Sequence, residues 1–196
     1  HPKDLSDELI EVMKSSDKIC RHLHLPLQSG STKILNAMNR RYTKESYVEL
    51  ALKIRKEIPD IAITSDIIVG FPGETKEDID DTIDVINTVS FDGAFTFVYS
   101  KRTGTPAAGM DNQVSEEFVR THFDRVLKTV QENAKAQAHK KTGRTEKVLV
   151  EEINEHDSSM LTGRLSNNLI VHFKGDKSLI GTIVNVKLNE CKDFYY

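Results

Sequence analysis

The chain has no tryptophan and only two cysteines in 196 residues. Cys20 and Cys191 stand far apart, without Cys-x-x-Cys spacing. Two such thiols cannot build a metal cage alone, and they give no disulfide framework. A reduced, cytoplasmic setting is the expectation. No apolar run approaches the length of a membrane span, and no signal-peptide pattern precedes the first helix-like segment. A net charge of −3 does not advertise binding to nucleic acid through bulk charge. Neither a P-loop nor a Ser-His-Asp order with a nucleophile elbow occurs. With 38% hydrophobic and 29% charged residues, the composition is that of a soluble globular protein of one large or two small domains.

The most informative segment that is present is 65–75. Asp66-Ile67-Ile68-Val69 is a short apolar run suited to a buried strand. Gly70, Pro72 and Gly73 break it with a turn, and Thr75 with Asp78 predicts a capping box opening a helix. Similar grammar flanks it. A helix is expected over 4–16. A strand over 23–27, with His22 and His24 on one side, runs into Gln28, Ser29, Gly30 and Ser31. Ser31 caps a helix over 32–39, and Thr43 caps another stopped by Pro59. Residues 61–64 lead into the central strand. A third strand over 94–99 carries aromatic residues at every second position. Strands alternating with helices predict a parallel sheet with right-handed crossovers. The loops 28–31, 70–74 and 100–106 should then share the carboxyl edge, where such sheets bind ligands.

A long helix capped by Ser115 is expected to reach about Lys141, with Thr142-Gly143 ending it. Short strands follow, separated by turn residues, and predict a small barrel. The domain division is placed near residue 142, giving 1–141 and 142–196.

Gln28, Ser29, Ser31, Ser100, Thr103 and Thr105 offer neutral hydrogen bonds at strand ends, and Gly70 and Gly73 allow close backbone approach. Such a set suits a polar small molecule with a ring, such as a nucleoside. Turn residues alone would also explain any one of these loops. His22 and His24 lack further ligands at metal spacing and read as packed or hydrogen-bonded histidines. His172 reads the same way. Asp80, Asp81 and Asp84 read as a solvated helix face. Lys128, Lys135, Lys140, Lys141, Arg144 and Lys147 form a basic stretch that fits either RNA contact or a solvated face.

The segments 20–31, Met38-Asn39-Arg40, Tyr42-Thr43, 65–75 and 99–108 resemble the radical SAM methylthiotransferases. Residues 142–196, with Leu161-Thr162-Gly163-Arg164 and Leu179-Ile180-Gly181, resemble the TRAM domain of those proteins. The resemblance implies an α/β fold: half of a partial (β/α)6 TIM-type barrel, then a small all-β, OB-like TRAM barrel. It implies S-adenosylmethionine and two 4Fe–4S clusters in the full-length protein, and a methylthio group as product. By it, Gln28 and Ser29 lie near S-adenosylmethionine, Val69, Gly70 and Phe71 near its adenine, and Ser100 and Arg102 face the same cavity. Lys147, Arg164 and Asn168 become candidates for tRNA contact.

Within the family, Ser29-Gly30-Ser31 and Thr162-Gly163-Arg164 look most like members acting on N6-isopentenyladenosine in the tRNA anticodon loop. Members acting on threonylcarbamoyladenosine are the alternative, and a free-standing RNA-binding module is another. The Cys-x3-Cys-x2-Cys signature of the family is absent. The expectation is therefore a carboxy-terminal piece, inactive by itself, with no catalytic or metal residue of its own. Its raw sheet edge near His22 is expected to favour self-association.

Overall fold

A computed structural model describes residues 2–196; His1 lies outside it. Strands β1 (His22–His24), β2 (Ala62–Val69) and β3 (Gly93–Val98) form a parallel sheet in the order β1-β2-β3. Helices α1 (Asp7–Ser15), α2 (Thr32–Ala37), α3 (Lys44–Glu57), α4 (Lys76–Val89) and α5 (Glu116–His139) accompany it. Side chains of β2 alternate. Ile63, Ser65, Ile67 and Val69 are buried in the helical layer, whereas Thr64, Asp66 and Ile68 lie on the other, barer face. Helices thus coat one face only, as expected of a barrel segment.

The core explains this layering. Tyr47, Ala51 and Ile54 of α3 and Ile79, Val85 and Ile86 of α4 are buried with Leu25, Leu27, Ile63 and Ile67. The helix starts follow the caps in the sequence: Ser31, Thr43, Thr75 and Ser115 each accept a backbone N–H from the first turn. Thr75 and Asp78 complete their reciprocal box.

Some expectations are corrected. The first helix begins only at Asp7, because Ser6 caps it after a 3₁₀ turn at Pro2–Asp4. The strand expected over 23–27 stops at His24. Pro26 has no N–H for the ladder, and the Ser65 hydroxyl bridges the gap. It donates to Leu25 O at 3.0 Å and accepts from Leu27 N at 2.9 Å. Residues 61–64 are no separate lead-in, since β2 runs unbroken from Ala62. Asp80, Asp81 and Asp84 are more than a solvated face. Asp80 pairs with Arg125 at 2.6 Å, and Asp81 and Asp84 pair with Lys44 at 2.8 and 3.0 Å.

Beyond α5, β4 (Thr145–Ile153), β5 (Met160–Leu165), β6 (Ile170–Lys174) and β7 (Ile183–Lys187) form an antiparallel sheet ordered β6-β5-β4-β7. Val148, Leu165, Val171, Leu188 and Tyr196 make its small core. A bulge between Val150 and Glu152 bends β4. This unit sits under the amino ends of β1 and β2. Ser166 Oγ accepts the Arg21 N–H at 2.9 Å, and a recess of about 190 Å³ separates His22 and Thr64 from Asn167, Asn168 and Phe194. The Tyr196 hydroxyl donates to Ala138 O at 2.9 Å, and Lys135 pairs with Asp193 at 2.7 Å, so both tie the sheet to the end of α5.

Candidate functional site

At the carboxyl edge of the parallel sheet, the three loops meet. Gln28 N–H donates to Asp66 O at 2.8 Å, and Ile68 N–H donates back to Gln28 O at 2.8 Å. Tyr99 N–H donates to Val69 O at 2.8 Å. Gln28, Val69–Phe71 and the start of 99–106 therefore occupy adjacent strand ends. Gln28 has φ 69°, the left-handed region that non-glycine residues seldom adopt. Its side-chain amide makes no hydrogen bond among the described residues and keeps contact with solvent, although only 7% of the residue is exposed.

The other named residues differ in access. Ser29 is fully buried, and its Oγ accepts the Ser31 N–H. Val69 and Phe71 are buried; Phe71 packs edge-on to Tyr99 at 5.2 Å. Ser100 and Arg102 are exposed in the loop after β3. Gly70 has φ 88°, and a Cβ there would lie 2.7 Å from the Val119 side chain of α5. The turn is thus pressed against α5 on one side and open to strand ends on the other. Gly30 is required by a closer approach: a Cβ would come within 2.4 Å of Thr82 Cα in α4.

Glu74 holds this turn from beneath. Its Oε2 accepts the Gly70 N–H at 2.6 Å, while Oε1 is buried without a hydrogen-bond partner. Burial, with a smaller contribution from the Asp78 charge, pushes its carboxyl up to about 7. Asp78 goes the other way. Its burial is outweighed by the bonds from Lys33, Ser31 and Thr75, which hold its carboxyl below the usual range. The sequence reading did not single out Glu74, since in the sequence it looks like one more turn residue.

On the uncoated face of the sheet, His22 and His24 are hydrogen-bonded as expected, through Thr64 and Asp66, which the sequence did not single out. His24 Nε2 is 3.3 Å from Asp66 Oδ2, His24 Nδ1 is 3.1 Å from Thr64 Oγ1, and Thr64 Oγ1 is 3.1 Å from His22 Nε2. Phe95 stands opposite Asp66 and Phe97 opposite Ile68, both at least half exposed. The His-x-His alternation and the aromatic alternation of β3 were the available signals.

In the antiparallel sheet, Arg164 donates to Glu151 at 3.0 Å and to Asn168 Oδ1 at 3.2 Å, so these two candidates form one cluster. Asn168, with φ 70°, also borders the recess against the parallel sheet. Lys147 is exposed on β4, apart from that pair. The basic stretch is partly engaged: Lys128 pairs with Glu132, Lys135 with Asp193 and Lys141 with Glu146. His172 is hydrogen-bonded to Thr162 and Asn154.

Residues 2–86 match the Radical SAM superfamily, and residues 139–196 match the TRAM domain. The chain thus holds a radical SAM region followed by a TRAM domain. It is 59% identical over all 196 residues to a tRNA-2-methylthio-N(6)-dimethylallyladenosine synthase of Lachnoclostridium phytofermentans, and it covers 43% of that protein. It is 53% identical over 192 residues, 98% of the chain, to the synthase of that name from Acetivibrio thermocellus, covering 40% of it. The Carboxydothermus hydrogenoformans protein of the same name is 50% identical over the full chain, of which 44% is covered. The chain thus spans less than half the length of these curated relatives.

The family uses S-adenosylmethionine and an iron–sulfur cluster. The cluster does not fit the residues in this radical SAM segment. Cys20 is exposed beside β1 and Cys191 lies in the TRAM domain, and among the described residues no group of three or more metal-ligating side chains is gathered. The nucleoside fits better. The amide of Gln28, accessible at the strand ends, and the exposed edge at Ser100 are what a polar ring could engage. No described helix is long and apolar enough to cross a membrane.

Proposed function

We propose that this chain is the carboxy-terminal part of a cytoplasmic tRNA methylthiotransferase, which places a methylthio group on C2 of N6-isopentenyladenosine in the anticodon loop. The 59% identity to a synthase of that name, extending over both the radical SAM and TRAM portions, carries the reading. S-adenosylmethionine would lie across the strand ends at Gln28, Ser29, Val69, Gly70 and Phe71, with Ser100 and Arg102 opposite. Cluster chemistry would come from ligands outside these 196 residues; within them the domain over 1–141 forms a wall and 142–196 a grip. Lys147, Arg164 and Asn168 are the candidate tRNA contacts of the TRAM domain, with Lys147 the exposed one.

The test is nucleoside mass spectrometry of tRNA that lacks the methylthio group, treated with a protein of the relatives' full length. The expected product is the 2-methylthio form of N6-isopentenyladenosine. A product on threonylcarbamoyladenosine instead would overturn the substrate assignment. RNA binding without any modification of either base would favour the free-standing RNA-binding module.

A further inference from the structure

The uncoated face of the parallel sheet is an unusual barrel lining. Such interiors are ordinarily filled by layers of Val, Ile and Leu. Here a file of polar groups runs up β1 and β2, and two phenylalanines stand beside it on β3. The polar file is internally consistent. Thr64 has one hydroxyl proton. His24 Nε2 and Nδ1 meet Asp66 Oδ2 and Thr64 Oγ1, and Thr64 Oγ1 also meets His22 Nε2, so one hydroxyl joins the two imidazoles. Burial first, and then repulsion from the neighbouring His24, lowers the His22 pKa. Asp66 is the one carboxyl group among the strand residues of this face. Its Oδ2 is taken by His24, which leaves Oδ1 as an acceptor. Phe95, in register with Asp66, is 64% exposed, and its ring centre lies 6.2 Å from that of His24. Phe97 is one step nearer the strand ends and 50% exposed.

We propose that this face reads the N6 substituent of the substrate adenine: Asp66 accepts the N6–H, and Phe95 and Phe97 take up a branched apolar group on N6. The inference rests on the proposed function and goes further by assigning the residues that select the base. Chemistry on the face fits one occupant. An apolar group loses water against the two rings. An anionic substituent, such as threonylcarbamoyl, would meet the Asp66 carboxylate with no Lys or Arg on these strand positions to offset it. Simple packing against the rest of a barrel would explain the two phenylalanines, but not a carboxylate oriented by a His-Thr-His file.

The test uses protein of the relatives' full length and RNA hairpins with adenosine, N6-isopentenyladenosine or N6-threonylcarbamoyladenosine at one position. Fluorescence anisotropy gives each affinity, and calorimetry gives S-adenosylmethionine binding. Phe97→Ala is expected to cut the preference for the isopentenyl over the unmodified hairpin by about tenfold or more. Phe97→Leu should keep most of it. Asp66→Asn should relax rejection of the threonylcarbamoyl hairpin while leaving S-adenosylmethionine binding intact. A wild-type thermal melt by circular dichroism certifies that each variant is folded. An isopentenyl preference that survives both Phe95→Ala and Phe97→Ala overturns the inference and leaves the proposed function standing. Lost S-adenosylmethionine binding with the preference intact also overturns it, by assigning the face to the cofactor. A wild-type protein that prefers the threonylcarbamoyl hairpin would sink the proposed substrate, and this assignment with it.

Discussion

Glu74 shows how one side chain links stability to the site. Its carboxyl titrates near pH 7 in the folded chain and near 4.5 when unfolded. Between those values the folded state holds a proton that the unfolded state has released, so this group's contribution to stability falls as pH rises. The drop is complete above pH 7 and amounts to about 3 kcal/mol at 1.36 kcal/mol per unit. Glu74→Gln keeps an acceptor for the Gly70 N–H but removes the titration. Urea denaturation across pH 4.5–8 should therefore show wild type losing about 3 kcal/mol relative to Glu74→Gln. A constant difference would mean that the carboxyl is not buried as described. None of this was legible in the sequence. A glutamate in a Gly-Pro-Gly turn reads as exposed, whereas here it is 4% exposed and folded back onto the Gly70 N–H. The caps were legible for the opposite reason, since Ser31 and Thr75 act within three residues of their own position.

At the level of elements, Arg55 is the joint of the helical layer. From α3 it donates to Val89 O at 3.0 Å and Ser90 O at 2.6 Å at the end of α4, to Ile61 O before β2, and to Asp92 at 2.8 Å before β3. Removing it leaves a half-buried carboxylate and the carbonyls at a helix terminus unpaired. Arg55→Ala should cost about 3 kcal/mol in urea denaturation. Arg55→Lys should recover part of that, because a point charge cannot satisfy the fork. An unchanged midpoint in Arg55→Ala would refute the joint. Sequence pattern found α3, α4 and the strands because apolar spacing is local. It could not find Arg55, whose partners lie up to 37 residues away. The short β1 was misjudged for the same reason: Pro26 breaks the ladder, and the hydroxyl that repairs it belongs to Ser65.

In the whole molecule, helices cover one face of the parallel sheet, while Phe95, Phe97 and the outer edges of β1 and β3 have no covering layer among the described residues. A chain of these 196 residues is expected to self-associate through that surface. Sedimentation should show dimers or larger species whose share grows with concentration, and Phe95→Lys should reduce it. A monomer at every concentration would contradict the expectation. The parallel order and the later all-β unit could be read from the alternation of strand and helix, but the placement of the TRAM domain could not. It depends on Ser166, Asp193 and Tyr196 reaching elements far away in sequence. That placement makes α5 a measuring rod. Its 24 residues extend about 36 Å at 1.5 Å each, from the turn at Gly70 to the TRAM sheet. On the proposed function, an RNA gripped at one end and presenting a base at the other would have to bridge that fixed length. The spacing between the gripped stem and the presented base would then act as a selection rule, applied before any contact with the base itself.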